Sequence, residues 1–505
     1  MKRLLSIIMM CTLTAGTAMA QWNTNRTPVR IFDGTSNSDY VGVCPIVKRA
    51  ANGKFWMSYL VSEKEPYGVH MYLQLYDKDL IPQFEGGIRV NSYPTNAAWS
   101  NYALDVTSDG CAVVSWCDAR GEEPTVHAGG DVSYYNFEPF YQKVDQEGNL
   151  LWGLDGVRFP QWTDDIPLQT SADVLTNDDV IVQAKGVHFA YMARINPDGE
   201  VVMEPQQMAG QVVPVSDSNF LLFYGGAQVA RFTKDLQTVW GPVEYDSYSY
   251  VGYEMDPYKI APDGKDGAAV AFARTMGQFS HNIRVQYING DGELGFGLEA
   301  IDAWNAEEYD HDYPRISLNP ETEEILVDWE SQTSESLVSA SKFNYSGDRL
   351  WGENGMVVAH KTVNSYSYGS VGSHPMPNGD WLLAWKDLAG YFKMQLRLKR
   401  VDKDGNKVWG PISIGNNIDI DHINMLWDDE ATYFFWRDNN KMGLYAFRIF
   451  NDSSYEPKPS GIDDVQDATA TAAACYTPDG KRLSEPQHGL NIVRMTDGTA
   501  KKVIK

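Results

Sequence analysis

Apolar and polar residues alternate along most of the chain in short runs that turns separate. This period of two is the pattern of half-buried β-strands, and no long amphipathic helical stretch interrupts it. One type of run, an apolar strand that follows a turn and usually carries an aromatic residue, occurs eight times at intervals of about 40 to 70 residues. The eight copies are GKFWMSYL at 53–60, GCAVVSWCD at 110–118, DDVIVQAKG at 178–186, SNFLLFYGG at 218–226, GAAVAFAR at 267–274, EEILVDWES at 323–331, GDWLLAWKD at 379–387 and ATYFFWRD at 431–438.

A second phrase follows most of these runs and contains a tight-turn signal. Apolar residues alternate into and out of an Asp-Gly or related core, which is the pattern of a β-hairpin. The best copies are VDQEGNLLWG at 144–153, FTKDLQTVWG at 232–241, FNYSGDRLWG at 343–352 and VDKDGNKVWG at 401–410. Weaker copies are YDKDLIPQFEGG at 76–87, INPDGEVVM at 195–203 and INGDGELGFG at 288–297.

The two phrases combine into a four-stranded unit. Strand A precedes the first turn, strand B is the apolar run, strand C enters the hairpin turn and strand D leaves it. Repeats of this length and kind predict an all-β fold, an eight-bladed antiparallel β-propeller followed by a small C-terminal β-hairpin module. The eighth copy has strands A to C at 418–452 but no strand D.

Residues 28–32, Pro-Val-Arg-Ile-Phe, resemble the ends of other D strands, such as GVRF and GIRV. We expect this segment to complete the last blade, which closes the ring and removes an exposed sheet edge. The alternative is that residues 28–32 simply start the chain in extended form.

The Gly-x-x-x-Trp ending of the best copies resembles the repeat of quinoprotein-like propellers. In that family the tryptophan docks against the next blade, so the resemblance implies structural roles for Trp152, Trp240, Trp351 and Trp409. The match is loose over residues 76–410, because Asp and Gly stand three apart here where that repeat usually has four. It supports blade number and packing only.

The first twenty residues have the features of a secretory signal peptide. Lys2 and Arg3 precede an apolar run over 4–14, and Ala18-Met19-Ala20 offers a cleavage site before Gln21. The run is too short for a membrane-spanning helix, and no later segment predicts one. We therefore expect residues 1–20 to be removed and the propeller to occupy 21–456.

The composition changes after the propeller. Residues 457–474 begin with a Pro-rich stretch and become rich in Asp, Ala and Thr, which is typical of a linker, and 475–505 contain two hairpins with Asp-Gly turns. This last module resembles the C-terminal sorting module of type IX secretion substrates, although it is short and has Asn491 where an aromatic is common. The matching positions include Gly480, Pro486, Gly489, Arg494 and Lys502.

The resemblance implies that type IX secretion machinery recognises the tail and carries the protein across an outer membrane. The body would then be released or held at the surface. The alternative is a last pair of structural hairpins packed on the propeller.

The net charge of −25 at pH 7 argues against a nucleic-acid partner, because so acidic a surface repels phosphates at long range. The cysteines Cys44, Cys111, Cys117 and Cys475 show no zinc or redox spacing. Cys111 and Cys117 share one predicted strand, which would hold them about 20 Å apart, too far to bridge.

Propeller connectivity places the A–B and C–D turns on one face and the B–C and D–A connections on the other. The second set is long here, at 91–103, 119–137, 159–168, 243–257, 300–314, 359–372 and 386–394, and function tends to lie on such connections. They carry aromatic rings and carboxylates, which commonly grip sugars and peptides. The candidate ligand-binding residues are Trp99, Tyr102, Trp162, Tyr248, Tyr250, Trp304, Glu307, Glu308, Asp310, Tyr366 and Tyr368. The alternative for each aromatic is ordinary packing between blades.

No motif names a reaction, so no catalytic residue is predicted. The densest acidic group is at 307–312 with His311, and a glycosidase would need two carboxylates at a suitable separation. We predict no cofactor. A calcium loop is conceivable at Asp402, Asp404 and Asn406, but tight hairpin turns use the same residues. The sequence favours a secreted or cell-surface propeller that binds a glycan or peptide, with a glycoside-active enzyme as the alternative.

Overall fold

The structure is a computed structural model. It describes residues 22, 25–33, 41–64, 67–95, 102–119, 125–126, 132–133, 137–162, 167–247, 258–277, 280–305, 310–332, 336–360, 369–390, 393–418, 420–438, 443–454, 472–477, 481–483, 487, 490–495 and 500–504. The chain divides into two compact units, Met1–Tyr455 and Glu456–Lys505. Within the described ranges no helix is long and apolar enough to cross a membrane.

The first unit contains eight antiparallel four-stranded sheets, which confirms the predicted all-β propeller. Strand β1 (Val29–Asp33) comes first, and blade 1 follows with β2 (Val41–Arg49), β3 (Phe55–Lys64), β4 (Tyr67–Tyr76) and β5 (Ile88–Arg89). Blade 2 consists of β6 (Ala103–Val106), β7 (Ala112–Asp118), β10 (Glu138–Val144) and β11 (Val157–Arg158), with a small hairpin of β8 (Thr125–Val126) and β9 (Val132–Ser133) in its B–C connection.

Blades 3 to 5 follow the same order of four strands. Blade 3 has β12 (Pro167–Val174), β13 (Val180–Gly186), β14 (Ala190–Ile195) and β15 (Val201–Gln206). Blade 4 has β16 (Gln211–Pro214), β17 (Phe220–Tyr224), β18 (Gln228–Phe232) and β19 (Thr238–Glu244). Blade 5 has β20 (Tyr258–Pro262), β21 (Ala268–Gly277), β22 (Ser280–Ile288) and β23 (Ile301–Asp302). Single 3₁₀ turns lie at Ala51–Gly53 and Ser216–Ser218.

Blades 6 and 7 are complete in sequence, whereas blade 8 is not. Blade 6 has β24 (Asp310–Asn319), β25 (Glu324–Gln332), β26 (Ser336–Asn344) and β27 (Met356–His360). Blade 7 has β28 (Ser370–Pro375), β29 (Trp381–Gly390), β30 (Lys393–Val401) and β31 (Lys407–Ile418). Blade 8 takes β32 (Ile420–Trp427), β33 (Ala431–Asp438) and β34 (Gly443–Phe450) from the end of the unit and β1 from its start.

The pairing of β1 with β34 confirms the predicted closure of the ring. Val29 pairs with Ala446 and Asp33 with Gly443, in antiparallel register. At Gly443 the closing strand comes so near that an added Cβ would lie 3.0 Å from the Phe32 carbonyl oxygen. The edge of β34 is therefore covered by backbone from the other end of the unit.

Trp22 strengthens this closure. Its ring is 8% exposed and lies between blades 1 and 8, 5.6 Å from the ring centroid of Tyr433 and 6.5 Å from that of Phe55. Its indole N–H donates a 2.7 Å hydrogen bond to the carbonyl of Lys78, in the C–D turn of blade 1. The second residue after the predicted cleavage site is thus part of the interblade core.

The repeat tryptophans make the same contact at other interfaces, so their predicted docking is confirmed for three of the four. Each indole N–H donates to the carbonyl of the second residue in the next blade's C–D turn: Trp152 to Pro197, Trp240 to Gly290 and Trp351 to Lys403. Trp22 therefore takes the position that the repeat tryptophan takes elsewhere, which supplies blade 8 with its docking residue as well as its outer strand. Trp409 is half-buried, and its indole N–H has no partner within the described chain.

Glycine is required at the C–D turn positions against which these indole rings pack. At Gly199 an added Cβ would lie 2.6 Å from Trp152 Cδ1, and at Gly292 it would lie 2.8 Å from Trp240 Cε3. Both glycines also have a positive φ, near 87° and 85°, which side chains disfavour. The Asp-Gly turn of one blade is thus the docking surface for the tryptophan of the blade before it.

In the C–D turns that begin at Asp145, Asn196, Asn289, Asn344 and Asp402, the side chains of the first and fifth residues form a hydrogen-bonded pair of amide and carboxylate. In the turn at 402–406, Asp402 Oδ1 accepts the backbone N–H of Asp404 and of Asn406, whose side-chain amide donates to Asp402 Oδ2. At 196–200 the roles are exchanged, and Asn196 donates to the carboxylate of Glu200. The side chains of the conceivable calcium loop are therefore used within the turn itself.

The second unit is one four-stranded sheet. Its strands are β35 (Ala472–Tyr476), β36 (Arg482–Leu483), β37 (Leu490–Met495) and β38 (Ala500–Ile504), in the order β36-β35-β37-β38. β35 begins inside the range expected to be linker. Asn491, which stands where the sorting pattern commonly has an aromatic, is buried. Its side chain accepts the backbone N–H of Gln487 and donates to the carbonyl of Gln487, and these two hydrogen bonds fix the chain just before β37.

Of the five sorting positions, Arg494 is exposed on β37, and Lys502 lies in β38 with its side chain outside the described residues. Gly480, Pro486 and Gly489 fall outside the described residues.

Replacing Trp22 by alanine should destabilise the whole propeller, because the ring at the closing interface would be lost. Removal of a buried tryptophan costs about 3–5 kcal/mol. Thermal unfolding of Trp22→Ala should shift downward by several degrees, and Trp22→Phe should recover part of the loss because it keeps the packing without the bond to Lys78. Leu154→Ala is the control, since this side chain is 82% exposed. An unchanged unfolding temperature in Trp22→Ala would contradict a closing role.

Candidate functional site

The predicted ligand-binding residues fall into two groups. Trp99, Tyr248, Tyr250, Glu307, Glu308, Tyr366 and Tyr368 lie outside the described residues, and so does the side chain of Asp310, which begins β24. Tyr102, Trp162 and Trp304 are described, and all three are buried. Their ligand-binding role stays a prediction.

Trp162 and Trp304 present almost no ring surface to solvent. They are 9% and 8% exposed, because both fill spaces between blades. Trp162 stands edge-on to Phe159 with centroids 6.1 Å apart, and Trp304 packs 6.0 Å from Trp329. Tyr102 donates its hydroxyl to the Ser58 carbonyl across the interface of blades 1 and 2.

A groove of about 880 Å³ lies on the inner wall of blades 3, 4 and 5. It follows their innermost strands, β12, β16 and β20, and reaches the end of β17. Polar side chains and a few apolar ones line it together: Gln169, Ser171, Asp173, Gln183, Lys185, Gln207, Gln211, Tyr224, Lys259, Met208, Val213, Pro214, Phe223 and Ile260. A concave surface with several converging polar groups is the usual form of a ligand site.

On blades 3 and 4 the groove lies beside short connections of the face that carries the B–C and D–A connections, whereas the connection from blade 4 to blade 5, 245–257, is long. Residues 207–210 alone join blade 3 to blade 4, and residues 187–189 and 225–227 join strands B and C of these two blades. Other connections on this face are longer: residues 90–102 join blade 1 to blade 2, and residues 361–369 join blade 6 to blade 7. Because the short connections extend little beyond the sheets, the innermost strands remain part of a concavity.

Gly210 and Gln183 hold this connection in place. The backbone N–H of Gly210 donates to Gln183 Oε1, and the Gln183 amide donates to the Gly210 carbonyl, both at 2.9 Å. A Cβ at Gly210 would lie 2.3 Å from the Phe223 carbonyl oxygen, so only glycine allows this approach. The amide of Gln183 also donates to Ser171 Oγ at 2.9 Å, which in turn donates to Asp173 Oδ2 at 3.1 Å.

Asp173 is the ionisable group at the end of this series of hydrogen bonds. Removal from water and, to a smaller extent, the nearby carboxylate of Asp105 together raise the pKa of its carboxyl from 3.8 to about 7. The hydrogen bonds from Ser171 and Gln183 and the charge of Lys48 act in the opposite direction. A carboxyl that titrates near neutral pH can hold or release a proton at the groove wall.

Asp105 and Lys48 continue the charged wall on the two preceding blades. Lys48 Nζ lies 3.5 Å from Asp105 Oδ1, and their side chains are 46% and 26% exposed. The other carboxylate oxygen of Asp105 accepts the backbone N–H of Val174, the residue after Asp173. Innermost strands β2, β6 and β12 thus bring one lysine and two carboxylates to neighbouring positions.

This arrangement can bind a polar ligand and can exchange a proton at Asp173. Among the described residues no three His, Cys, Asp or Glu side chains are grouped to hold a metal ion. The wall offers the side-chain amides of Gln207 and Gln211, the ammonium groups of its lysines, the carboxyl group of Asp173 and the ring of Tyr224.

The groove residues were not predicted from the sequence, because the candidate ligand-binding residues were chosen from the long connections. Short connections, and not long ones, mark the groove in the sequence. Between 178 and 232 the predicted strands follow one another with few residues between them. The glutamine-rich stretch 204–211, Glu-Pro-Gln-Gln-Met-Ala-Gly-Gln, lies at this point.

The propeller is similar to several solved structures. The Dos1 propeller has a TM-score of 0.49 and 11% identity, over 87% of this chain and 96% of that one. The BP39L lectin from Burkholderia pseudomallei has a TM-score of 0.42 and 11% identity, over 74% and 99%. The polysaccharide lyase Uly1 has a TM-score of 0.42 and 8% identity, over 83% and 93%. No protein-family model matches the chain. No curated protein sequence matches it.

Asp173→Asn should raise the stability of the propeller at pH 8 and leave it nearly unchanged at pH 4. The carboxyl is protonated in both states below the ordinary pKa of 3.8, and its contribution to stability is lost as pH rises through the folded-state value of about 7. Asparagine stays neutral and can still accept the Ser171 hydroxyl. Thermal unfolding at pH 4, 6 and 8 measures the difference.

The matched control is Asp198→Asn, which changes an exposed acid in the C–D turn of the same blade. Its effect on unfolding temperature should not grow between pH 4 and pH 8. Destabilisation by Asp173→Asn at pH 8 would show that the fold favours the ionised carboxylate.

Proposed function

We propose that the protein is an exported binding propeller and that the groove on blades 3, 4 and 5 holds a glycan or a peptide. The observation that carries this proposal is the concave wall of amide, hydroxyl, ammonium and carboxyl groups around Gly210, with Gln183 fixed by three hydrogen bonds. A wall whose polar groups are held before binding loses little conformational entropy when the ligand arrives.

A hydroxyl-rich ligand suits this wall. Side-chain amides both donate and accept, as sugar hydroxyls do, and Gln169, Gln207 and Gln211 all line the groove. Tyr224, which is half-buried at the end of the groove, adds ring surface for the C–H faces of a sugar. The aromatic and acidic residues predicted on the long connections remain candidates for further contacts with the same ligand, because those connections belong to the same face as residues 207–210.

Removing two groove amides together should weaken binding without unfolding the protein. A screen of the mature body against an array of glycans and peptides provides the ligand, and calorimetry gives its affinity. For Gln207→Ala with Gln211→Ala we expect a loss of about tenfold or more, since each net hydrogen bond contributes about 1 kcal/mol. The unfolding temperature should change little.

Gln237→Ala is the matched control, because it removes the same side chain from an exposed C–D turn of the same blade. It should bind the ligand as the unchanged protein does. Equal affinity of the groove variant and the control would place the binding site elsewhere.

A glycoside-active enzyme is the second candidate, and the pair of Asp105 and Asp173 favours it. The two acids come from different blades, one is paired with Lys48 and the other has a pKa raised to about 7. Carboxyl groups in such different surroundings can serve as proton donor and as charged partner in glycoside cleavage. Product analysis of the array ligands after incubation decides between the candidates: cleavage that Asp173→Asn abolishes supports the enzyme.

We further propose that residues 1–20 direct export and that the C-terminal unit is a type IX sorting module that brings the propeller to the outer-membrane surface or beyond. The support is the pattern of the leader, the motif positions of the tail and the separate compactness of Glu456–Lys505. The propeller, as a distinct unit, has its own closed set of sheets.

Deleting residues 463–505 should leave a folded propeller that accumulates in the periplasm of the producing cell. Fractionation with an antibody to the propeller compares the deleted and full-length chains, and protease shaving of intact cells tests surface exposure. Replacing Arg494 and Lys502 by alanine in the full-length chain is a milder second variant. Normal surface delivery of the deleted chain would contradict the sorting role.

A further inference from the structure

We propose that the groove binds an extended peptide, which pairs with the open edge of β16 and adds a strand to blade 4. This inference rests on the proposed binding function and, of its two ligand classes, names the peptide. Its basis is the set of backbone groups that β16 directs into the groove, together with the side chains that bond the equivalent groups in other blades.

β16 is the innermost strand of blade 4, so only one of its edges is paired within the sheet. Its partner is β17, and in such an antiparallel ladder successive residues direct their backbone groups alternately toward the partner and away from it. The Val215 N–H donates to the Asn219 carbonyl across the A–B turn, which fixes the order of this alternation. Gly210, Val212 and Pro214 therefore direct their backbone groups away from β17.

In three other pairs of neighbouring blades, polar side chains bond the equivalent backbone groups. These groups lie one, three or five residues before the residue that opens the A–B turn, as Gly210, Val212 and Pro214 do in blade 4. Each side chain belongs to the innermost strand of one blade and each backbone group to that of the next blade. The pairs are Asn424 with the Val47 N–H and the Pro45 carbonyl, Asp105 with the Val174 N–H, and Ser317 with the Ser373 carbonyl.

In blade 4 this bonding ends at Gly210. The side-chain amide of Gln183 accepts the Gly210 N–H and donates to the Gly210 carbonyl, which is the reciprocal pair of bonds that a neighbouring antiparallel strand would make. Two residues further on, the N–H and carbonyl of Val212 have no partner on this side within the described chain, and Val212 lines the groove. Pro214 offers a carbonyl alone, because proline has no N–H.

An extended peptide has the groups that complete this edge. Val212 offers one N–H and one carbonyl and Pro214 offers a carbonyl, and residues two apart in a strand are separated by about 6.7 Å. A peptide in the same conformation presents its own amide groups with this repeat, so its main chain meets the row in register. Its side chains then alternate between the walls that blades 3 and 5 provide.

The test selects a phage-displayed library of random decapeptides on the mature protein. The tightest decapeptide is synthesised with a series in which one backbone amide at a time is N-methylated, and calorimetry gives each affinity. Methylation removes one donor and leaves every side chain in place. We expect a loss of about fivefold or more at two positions that are two residues apart and a smaller loss at the position between them, because a strand directs alternate amides to each edge.

Val212→Pro removes the free N–H from the protein and should weaken binding of the decapeptide by about fivefold or more. Proline suits an edge strand where the N–H bonds nothing in the sheet, and thermal unfolding checks the fold of the variant. Val212→Ala is the matched control, because it keeps the N–H, and it should bind within about twofold of the unchanged protein.

Hydrogen exchange gives a readout that needs no substitution. The bound decapeptide should slow exchange in the segment 210–214, where the Val212 amide is the one that the ladder and Gln183 leave free. This measurement and the N-methylated series decide the matter if Val212→Pro does not fold.

The outcomes separate this inference from the function on which it rests. Equal affinity of the two Val212 variants, unchanged exchange in 210–214 or a uniform response to N-methylation would overturn pairing with β16 and leave the binding function intact. Binding of array glycans by a protein that selects no decapeptide would overturn the peptide alone. A protein that binds neither probe would contradict both proposals.

Discussion

The propeller depends on one pairing, that of the first strand with the last. Blade 8 is complete only because its outer strand, Val29–Asp33, comes from the start of the unit. Trp22 extends the same closure into the interblade core, where it meets Tyr433 and the turn of blade 1. Residues at opposite ends of the unit thus share one sheet, so the other interfaces are held in a circle that has no free end.

Between neighbouring blades the same contact recurs. An indole ring lies on the C–D turn of the next blade and donates to the carbonyl of that turn's second residue. The turn is shaped for this by the reciprocal bonds of its first and fifth side chains, which occupy its amide and carboxylate groups. One short motif therefore forms its own hairpin and provides the docking surface for the preceding blade.

The candidate site is a groove in the propeller that neither the blades nor their short connections fill. Short connections at 187–189, 207–210 and 225–227 leave a groove beside β12, β16 and β20, and the bonds between Gln183 and Gly210 fix its wall. Two of the tryptophans predicted to bind a ligand, Trp162 and Trp304, are buried and fill the spaces between blades. A large aromatic ring stabilises the fold more when it is buried in a core than when it is exposed at a surface. The number of aromatic residues on a connection is therefore a poor predictor of ligand contact.

The sequence by itself determined the all-β class, the number of blades, the closing strand and the docking role of Trp152, Trp240 and Trp351. These follow from local patterns that recur along the chain, because a hairpin turn or an alternating strand is encoded within some ten residues. The tertiary structure alone decided that Trp22 completes blade 8, that Trp304 is buried and that Asp105, Asp173 and Lys48 come together. Those three charged residues lie on different blades, and no local pattern relates their positions. Their proximity, and the raised pKa of Asp173, exist only because the closed ring brings the innermost strands side by side.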